Sequence, residues 1–245
     1  MPDWHDDAIV LAVRPHGERN VLLSLLTERH GRHAGLVRSG SSNRLKGVLL
    51  PGNKVRASWR ARLPEQLGSM NVELTDPVPA FMLDSPLRLA GLSSFCAILD
   101  GALPEREDQK GLFTASSALL DLIKIDGENH AWLEGYVKWE IGLLAALGYR
   151  LNLSRCVVSG KTEDFAYVSP KSGGVVAQDA AGNYASRLLI LPSFLGGTFC
   201  KKNDWVAGLN LTGHFLSRQV FGERNIDIPT PRKRLADMVA KRYNS

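Results

Sequence analysis

The chain has 245 residues, 44% of them apolar and 22% charged, which suits a globular fold with a sizeable core and excludes a disordered or low-complexity protein. No apolar run approaches the roughly 20 residues that span a bilayer, the start MPDWHDD lacks the features of a secretion signal, and the three scattered cysteines (Cys96, Cys156, Cys200) form no disulfide framework. A cytoplasmic protein with no membrane association is therefore expected, and its formal charge of +5 is unevenly distributed.

The first 76 residues read as short strands with turn punctuation. AIVLAVR (8–14) and NVLLSLLT (20–27) flank PHGER, and HAGLVR (33–38) follows the tight ERHGR turn. A polar connection, SGSSNRLKG (39–47), leads through PGNK to a basic strand, and LGSMNVEL (67–74) is the fifth candidate. Five strands with one longer connection after the third predict a small barrel of the oligonucleotide-binding (OB) type. In the basic strand, NKVRASWRAR (53–62), period two places Lys54, Arg56, Arg60 and Arg62 on one side, with Val55, Ala57, Trp59 and Ala61 on the other. Four cations cannot face a core, because each buried unpaired charge costs several kcal/mol. Residues 14–62 hold eleven Lys/Arg, Arg14, Arg38, Arg44 and Lys46 among them, against Glu18 and Glu28, a local excess of +9. Such a concentration suits a phosphate backbone. A solvated strand edge is the plain alternative for the four strand cations. Trp59 alternates away from the cations and is expected in the core, so binding should be backbone-dominated and sequence-tolerant.

Pro77, Pro79 and Pro86 mark a break, after which the period becomes helical. Ser85 and Pro86 make an N-cap and first-turn pair for a helix to about Gly101, and a second helix is expected over 107–125. HAWLEGYVKWEIGLLAALGY (130–149) carries two adjacent apolar stripes, as in the central helix of a bundle, and ends at Gly148. Residues 150–185 lose that period, and VVSGKT, DFAYVSP, SGGVVA and AAGNYA suggest a small β insert. Helical character returns near 186–200, 204–222 and 232–243, with a second basic cluster at Arg232, Lys233 and Arg234. The predicted class is α+β, with a barrel domain at 1–78 and a helical domain at 79–245 that carries the insert.

The catalytic inventory is thin. SGKT (159–162) lacks the first glycine of a phosphate loop, Arg155 standing in its place. His5, Asp6 and Asp7 read as a solvated tail, and His30 and His33 as turn residues or phosphate hydrogen-bond partners. Glu140 reads as a structural carboxylate, and Cys200, beside Lys201 and Lys202, has no identifiable base. A binding protein without catalytic residues, metal or cofactor is expected.

The run AIVLAVRPHGERNVLLSLLTERHGRHAGLVRSG, with its T-x-x-x-G-R turn at Thr27–Arg32, resembles the bacterial RecO family. So do L-x-P-G-N before the basic strand, the ALGY helix end, AYVSPKSGG and the basic PRKRL tail. The resemblance spans essentially the whole chain. It implies an OB-fold, a helical domain and a zinc-finger-like element. It also implies binding of single- and double-stranded DNA, strand annealing, and action with RecR to load RecA onto DNA coated by single-strand-binding protein (SSB), whose acidic C-terminal tail the family binds. Many members hold zinc with paired C-x-x-C motifs, and the matching positions here are Cys156, Ser159, Ala177 and Ala180. Tetrahedral zinc needs four donors, so the insert is expected to hold its shape by packing around Tyr167 and Val176. The DNA contacts expected are Arg38, Arg44, Lys46, Lys54, Arg56, Arg60 and Arg62, with Arg14 and residues 232–234 as weaker candidates. An RNA-binding OB-fold protein is the alternative from the binding class, and a nuclease using His5, Asp6 and Asp7 is the rival enzyme.

Overall fold

A computed structural model describes residues 2–125, 130–198 and 204–243, in two compact units. One comprises 1–125 with 229–232, the other 126–228 with 233–245. The class is α+β.

In the first unit β1 (Asp3–His16), β2 (Asn20–Thr27), β3 (Arg32–Val37), β4 (Lys54–Arg60) and β5 (Ser69–Asp76) close a barrel in the order β1-β2-β3-β5-β4. β1 closes it by pairing antiparallel with β4 from Asp3↔Arg60 to Ile9↔Lys54, while β3 meets β5 in parallel at Leu36↔Ser69. The interior is filled by alternate residues such as Val10, Leu23, Leu25, Val55, Ala57, Trp59 and Met70. β1 starts at Asp3, well before residue 8, so His5, Asp6 and Asp7 form part of the barrel wall rather than a loose tail. β4 alternates as the period-two pattern requires, with Val55, Ala57 and Trp59 buried, but it ends at Arg60 and leaves Arg62 in the following loop.

The turn before β4 has a local cause. Gly52 adopts φ +94°, and a Cβ there would lie 2.5 Å from the Leu92 side chain, so neither the conformation nor the space admits a larger residue. Leu92 belongs to α2 (Pro86–Ala102), which is capped by Ser85 as its sequence predicts. α3 (Leu112–Ile125) begins five residues later than expected, because Gly111 takes a positive φ of 78° that a helix cannot include.

The second unit is built on α4 (Trp132–Ala146), whose Trp132, Leu133, Tyr136, Val137, Leu143 and Leu144 are all fully buried. It packs on a helix at Asp204–Phe215, which continues as a π-helical stretch over Leu216–Phe221. Glu140 is buried and accepts a hydrogen bond from the Thr212 hydroxyl, consistent with a structural carboxylate. The insert is a three-stranded sheet of β6 (Phe165–Val168), β7 (Val175–Ala177) and β8 (Leu189–Ile190). AAGNYA belongs to helical turns over 178–187 rather than to a strand. The helix expected near 186–200 is replaced by β8 and a 3-10 turn at Ser193–Leu195, since Pro192 and Gly196 interrupt it. Its last residues, Cys200 among them, fall outside the described set. A last helix runs over Thr230–Tyr243. Among the described residues no helix is long and apolar enough to cross a membrane.

Candidate nucleic-acid interface

The connection between β3 and β4 is fastened along its length. The amide and hydroxyl of Ser41 both donate to the Arg19 carbonyl at 3.2 Å, and the Ser39 amide donates to Asn20 Oδ1 at 3.2 Å. Gly40 lies so close to β2 that a Cβ would come within 2.4 Å of Val21 Cγ2. At the far end the fully buried Asn53 donates from Nδ2 to the carbonyls of Gly47 at 2.8 Å and Val48 at 2.9 Å. Thus held, the connection displays Arg38, and a single helical turn, α1 (Asn43–Lys46), displays Arg44 and Lys46; all three are exposed.

β4 presents a different picture from the bare cationic face suggested by its sequence. In register beside it stand Asp3 and Asp7 on β1, opposite Arg60 and Arg56, and Glu73 and Asp76 on β5, opposite Arg56 and Lys54. Arg56 pairs with Asp7 at 3.2 Å. Lys54 turns toward α3, where it meets Asp121 at 2.7 Å and the Ser117 hydroxyl at 2.8 Å. Arg14 is ion-paired with Asp100. The acids that neutralise this strand come from elements distant in sequence, which is why the local count of +9 overstates the surface field.

Of the eleven cations in 14–62, five are ion-paired: Arg14, Arg29, Arg32, Lys54 and Arg56. The other six, Arg19, Arg38, Arg44, Lys46, Arg60 and Arg62, are exposed and make no ion pair among the described residues. Arg19 sits in the β1–β2 turn and Arg62 in the β4–β5 loop. That loop is also fastened: Trp59 Nε1 donates to the Leu67 carbonyl at 2.8 Å, and the Arg106 guanidinium donates to the carbonyls of Pro64 and Gln66. In the tail cluster, Arg232 is buried and therefore cannot meet a ligand, Lys233 pairs with Asp227 at 3.3 Å, and Arg234 is exposed.

Sequence reasoning missed an aromatic cluster inside this end of the unit. Trp4 stacks on His30 with centroids 4.6 Å apart and on Trp59 at 6.0 Å, while His33 stands edge-on to both tryptophans. Arg106 lies over the Trp59 ring at 5.7 Å. His30 Nδ1 bonds the buried Asp6 at 2.9 Å, and Asp6 also accepts from the Arg29 amide and guanidinium, so this carboxylate serves the wall of the barrel. His33 is 4% exposed with no hydrogen-bond partner on either ring nitrogen, and its pKa falls to about 4 through burial, then the charge of Arg106, then His30.

The insert does not fit zinc. Ser159 carries a hydroxyl, Ala177 and Ala180 carry no donor, and Cys156 Sγ instead accepts the amides of Ser159 and Ala177, each at 3.3 Å. Burial acts to raise the Cys156 pKa, but hydrogen bonds from the Ser159 hydroxyl and from the amides of Ser159, Ala177 and Val158 prevail and hold it at about 7. Among the described residues no group of three or more His, Cys, Asp or Glu converges as metal ligands would.

Family models place the chain in context. One described as Recombination protein O N terminal matches residues 1–78, and one described as Recombination protein O C terminal matches 83–225. The chain is similar to the DNA repair protein RecO of Rhodospirillum centenum, at 48% identity over 99% of this chain and 97% of that protein. It is also similar to the DNA repair protein RecO of Rhodospirillum rubrum, at 44% identity over 98% of each. A third relative, of the same description from Gluconacetobacter diazotrophicus, is 42% identical over 97% of this chain and 95% of its own.

Proposed function

The chain belongs to the RecO family of DNA repair and recombination proteins, and on that footing we propose that it is a non-enzymatic, DNA-binding mediator that anneals complementary strands. The observation that carries this reading is the set of six exposed cations, without an ion pair among the described residues, on a closed barrel whose strand order suits an OB-fold. Arg38, Arg44, Lys46, Arg60 and Arg62 contact phosphates, with Arg19 added from the β1–β2 turn. Lys54, Arg56 and Arg14 belong to the interface only where a phosphate displaces their carboxylate partners. Neutralising phosphates on two strands at once lowers the repulsion that opposes pairing. Membership of a DNA repair family favours DNA over RNA as the ligand.

In this reading residues 1–78 form the DNA-binding domain, and 79–245, with the insert at 150–185, form the helical domain. The protein works in the cytoplasm with RecR and the acidic SSB tail, and so acts on RecA indirectly. Strand annealing tests the proposal. The triple variant Arg38→Ala, Arg44→Ala, Lys46→Ala should slow annealing of complementary oligonucleotides at least about tenfold, while Lys54→Ala changes it little. Equal rates for the triple variant and the wild type would remove the connection from the DNA site.

A further inference from the structure

We propose that the outer barrel face between β1, β4 and β5 seats one unpaired nucleobase, an inference that rests on the DNA-binding reading. Two cross-strand rows lie in register there, Asp3–Arg60–Ser69 and His5–Ser58–Asn71. Together with Trp59 they line an open cavity of about 220 Å³, the space of roughly seven waters.

The chemistry of the six side chains selects the occupant. Ser58 and Ser69 are short and half-buried, whereas Asp3, His5 and Arg60 are longer and exposed, which makes a low floor with a raised rim. Among the described residues no side chain of the six makes a hydrogen bond, although the set offers hydroxyl, amide, carboxylate and guanidinium groups side by side. One carboxylate offsets one guanidinium, so the cavity has no net field to hold a phosphate. A neutral planar ring with donors and acceptors on its edge suits it better, and Arg60 at the rim can take the adjoining phosphate. The floor is rigid, since β4 is hydrogen-bonded along both of its edges, to β1 on one side and to β5 on the other. A base inside a duplex turns its edge to its partner, so the seat is open only to single strands.

The test compares oligothymidylate of about 15 nucleotides with an equally long abasic strand, by fluorescence anisotropy on the full chain. Wild type should bind the thymidylate about tenfold more tightly, the scale of one or two hydrogen bonds to the edge of a base. Ser58→Leu fills the seat and should bring both strands to the affinity of the abasic one. Asn71→Leu serves the same purpose if Ser58→Leu fails to fold. The Arg38, Arg44, Lys46 triple alanine variant should weaken both strands while preserving their ratio. Equal wild-type affinity for the two strands, or an undiminished preference in the filled variants, overturns the seat alone. Failure of the wild type to bind either strand at roughly 50 mM salt overturns the DNA-binding reading and the seat with it.

Discussion

Acidification from pH 7 toward 4 should destabilise the barrel through His33. In the folded protein this ring is buried between Trp4 and Trp59, faces the charges of Arg106 and His30, and titrates at about 4 rather than the ordinary 6.5. Above pH 6.5 neither state holds the proton, so the group contributes nothing to the pH dependence. Between 6.5 and 4 the unfolded chain binds a proton that the folded one refuses, so stability falls with falling pH. Below 4 both states are protonated and the loss levels off. At about 1.4 kcal/mol per pH unit, the gap between 6.5 and about 4 amounts to about 3 kcal/mol. Urea unfolding followed by tryptophan fluorescence, repeated across this range, measures the loss. His33→Phe keeps an aromatic ring edge-on to both tryptophans and removes the titrating nitrogens. Carboxylates titrate in both proteins, so the difference between their pH slopes isolates His33. The wild type should lose up to about 1.4 kcal/mol more per pH unit than the variant. Identical slopes would refute the claim that His33 is held neutral by its surroundings.

Other outcomes follow from the same contacts. Asn53→Ala leaves the carbonyls of Gly47 and Val48 without their donor, so urea unfolding should show a loss of about 1–3 kcal/mol, and DNA affinity should fall as α1 loosens. Trp59→Ala empties a barrel position only 3% exposed and should cost about 3–5 kcal/mol, measured by the same denaturation. Chelation should leave the thermal midpoint unchanged, because three of the four positions matching the zinc motif carry no sulfur or imidazole. A drop in that midpoint on adding a chelator would show that metal is bound elsewhere.

The parts of the fold that depend on local pattern were legible in the sequence. β4 shows its alternation directly, and Ser85–Pro86 marks the start of α2 because capping is a matter of neighbouring residues. The breadth of the apolar surface on α4 likewise announced a helix buried on several sides. Features that depend on distant partners were not legible. Nothing near Lys54 in sequence points to Asp121, and nothing near Trp59 points to Arg106 or Trp4. The charge count over 14–62 identified the basic region, but separating the paired cations from the unpaired ones required the acids of β1, α2 and α3. One signal could have exposed the flanking carboxylates earlier: Asp3 and Asp7 share the alternation that puts Arg56 and Arg60 outward, had β1 been started at Asp3.

The most direct test of the DNA interface is the salt dependence of single-strand binding, measured by anisotropy of a labelled oligonucleotide between roughly 50 and 200 mM salt. Each phosphate neutralised on a single strand contributes about 0.7 to the slope of log affinity against log salt. The six exposed cations therefore predict a slope near −4 for the wild type, and removal of Arg38, Arg44 and Lys46 should flatten it by about 2. A triple variant with native circular dichroism and the wild-type slope would contradict the assignment of this surface to DNA.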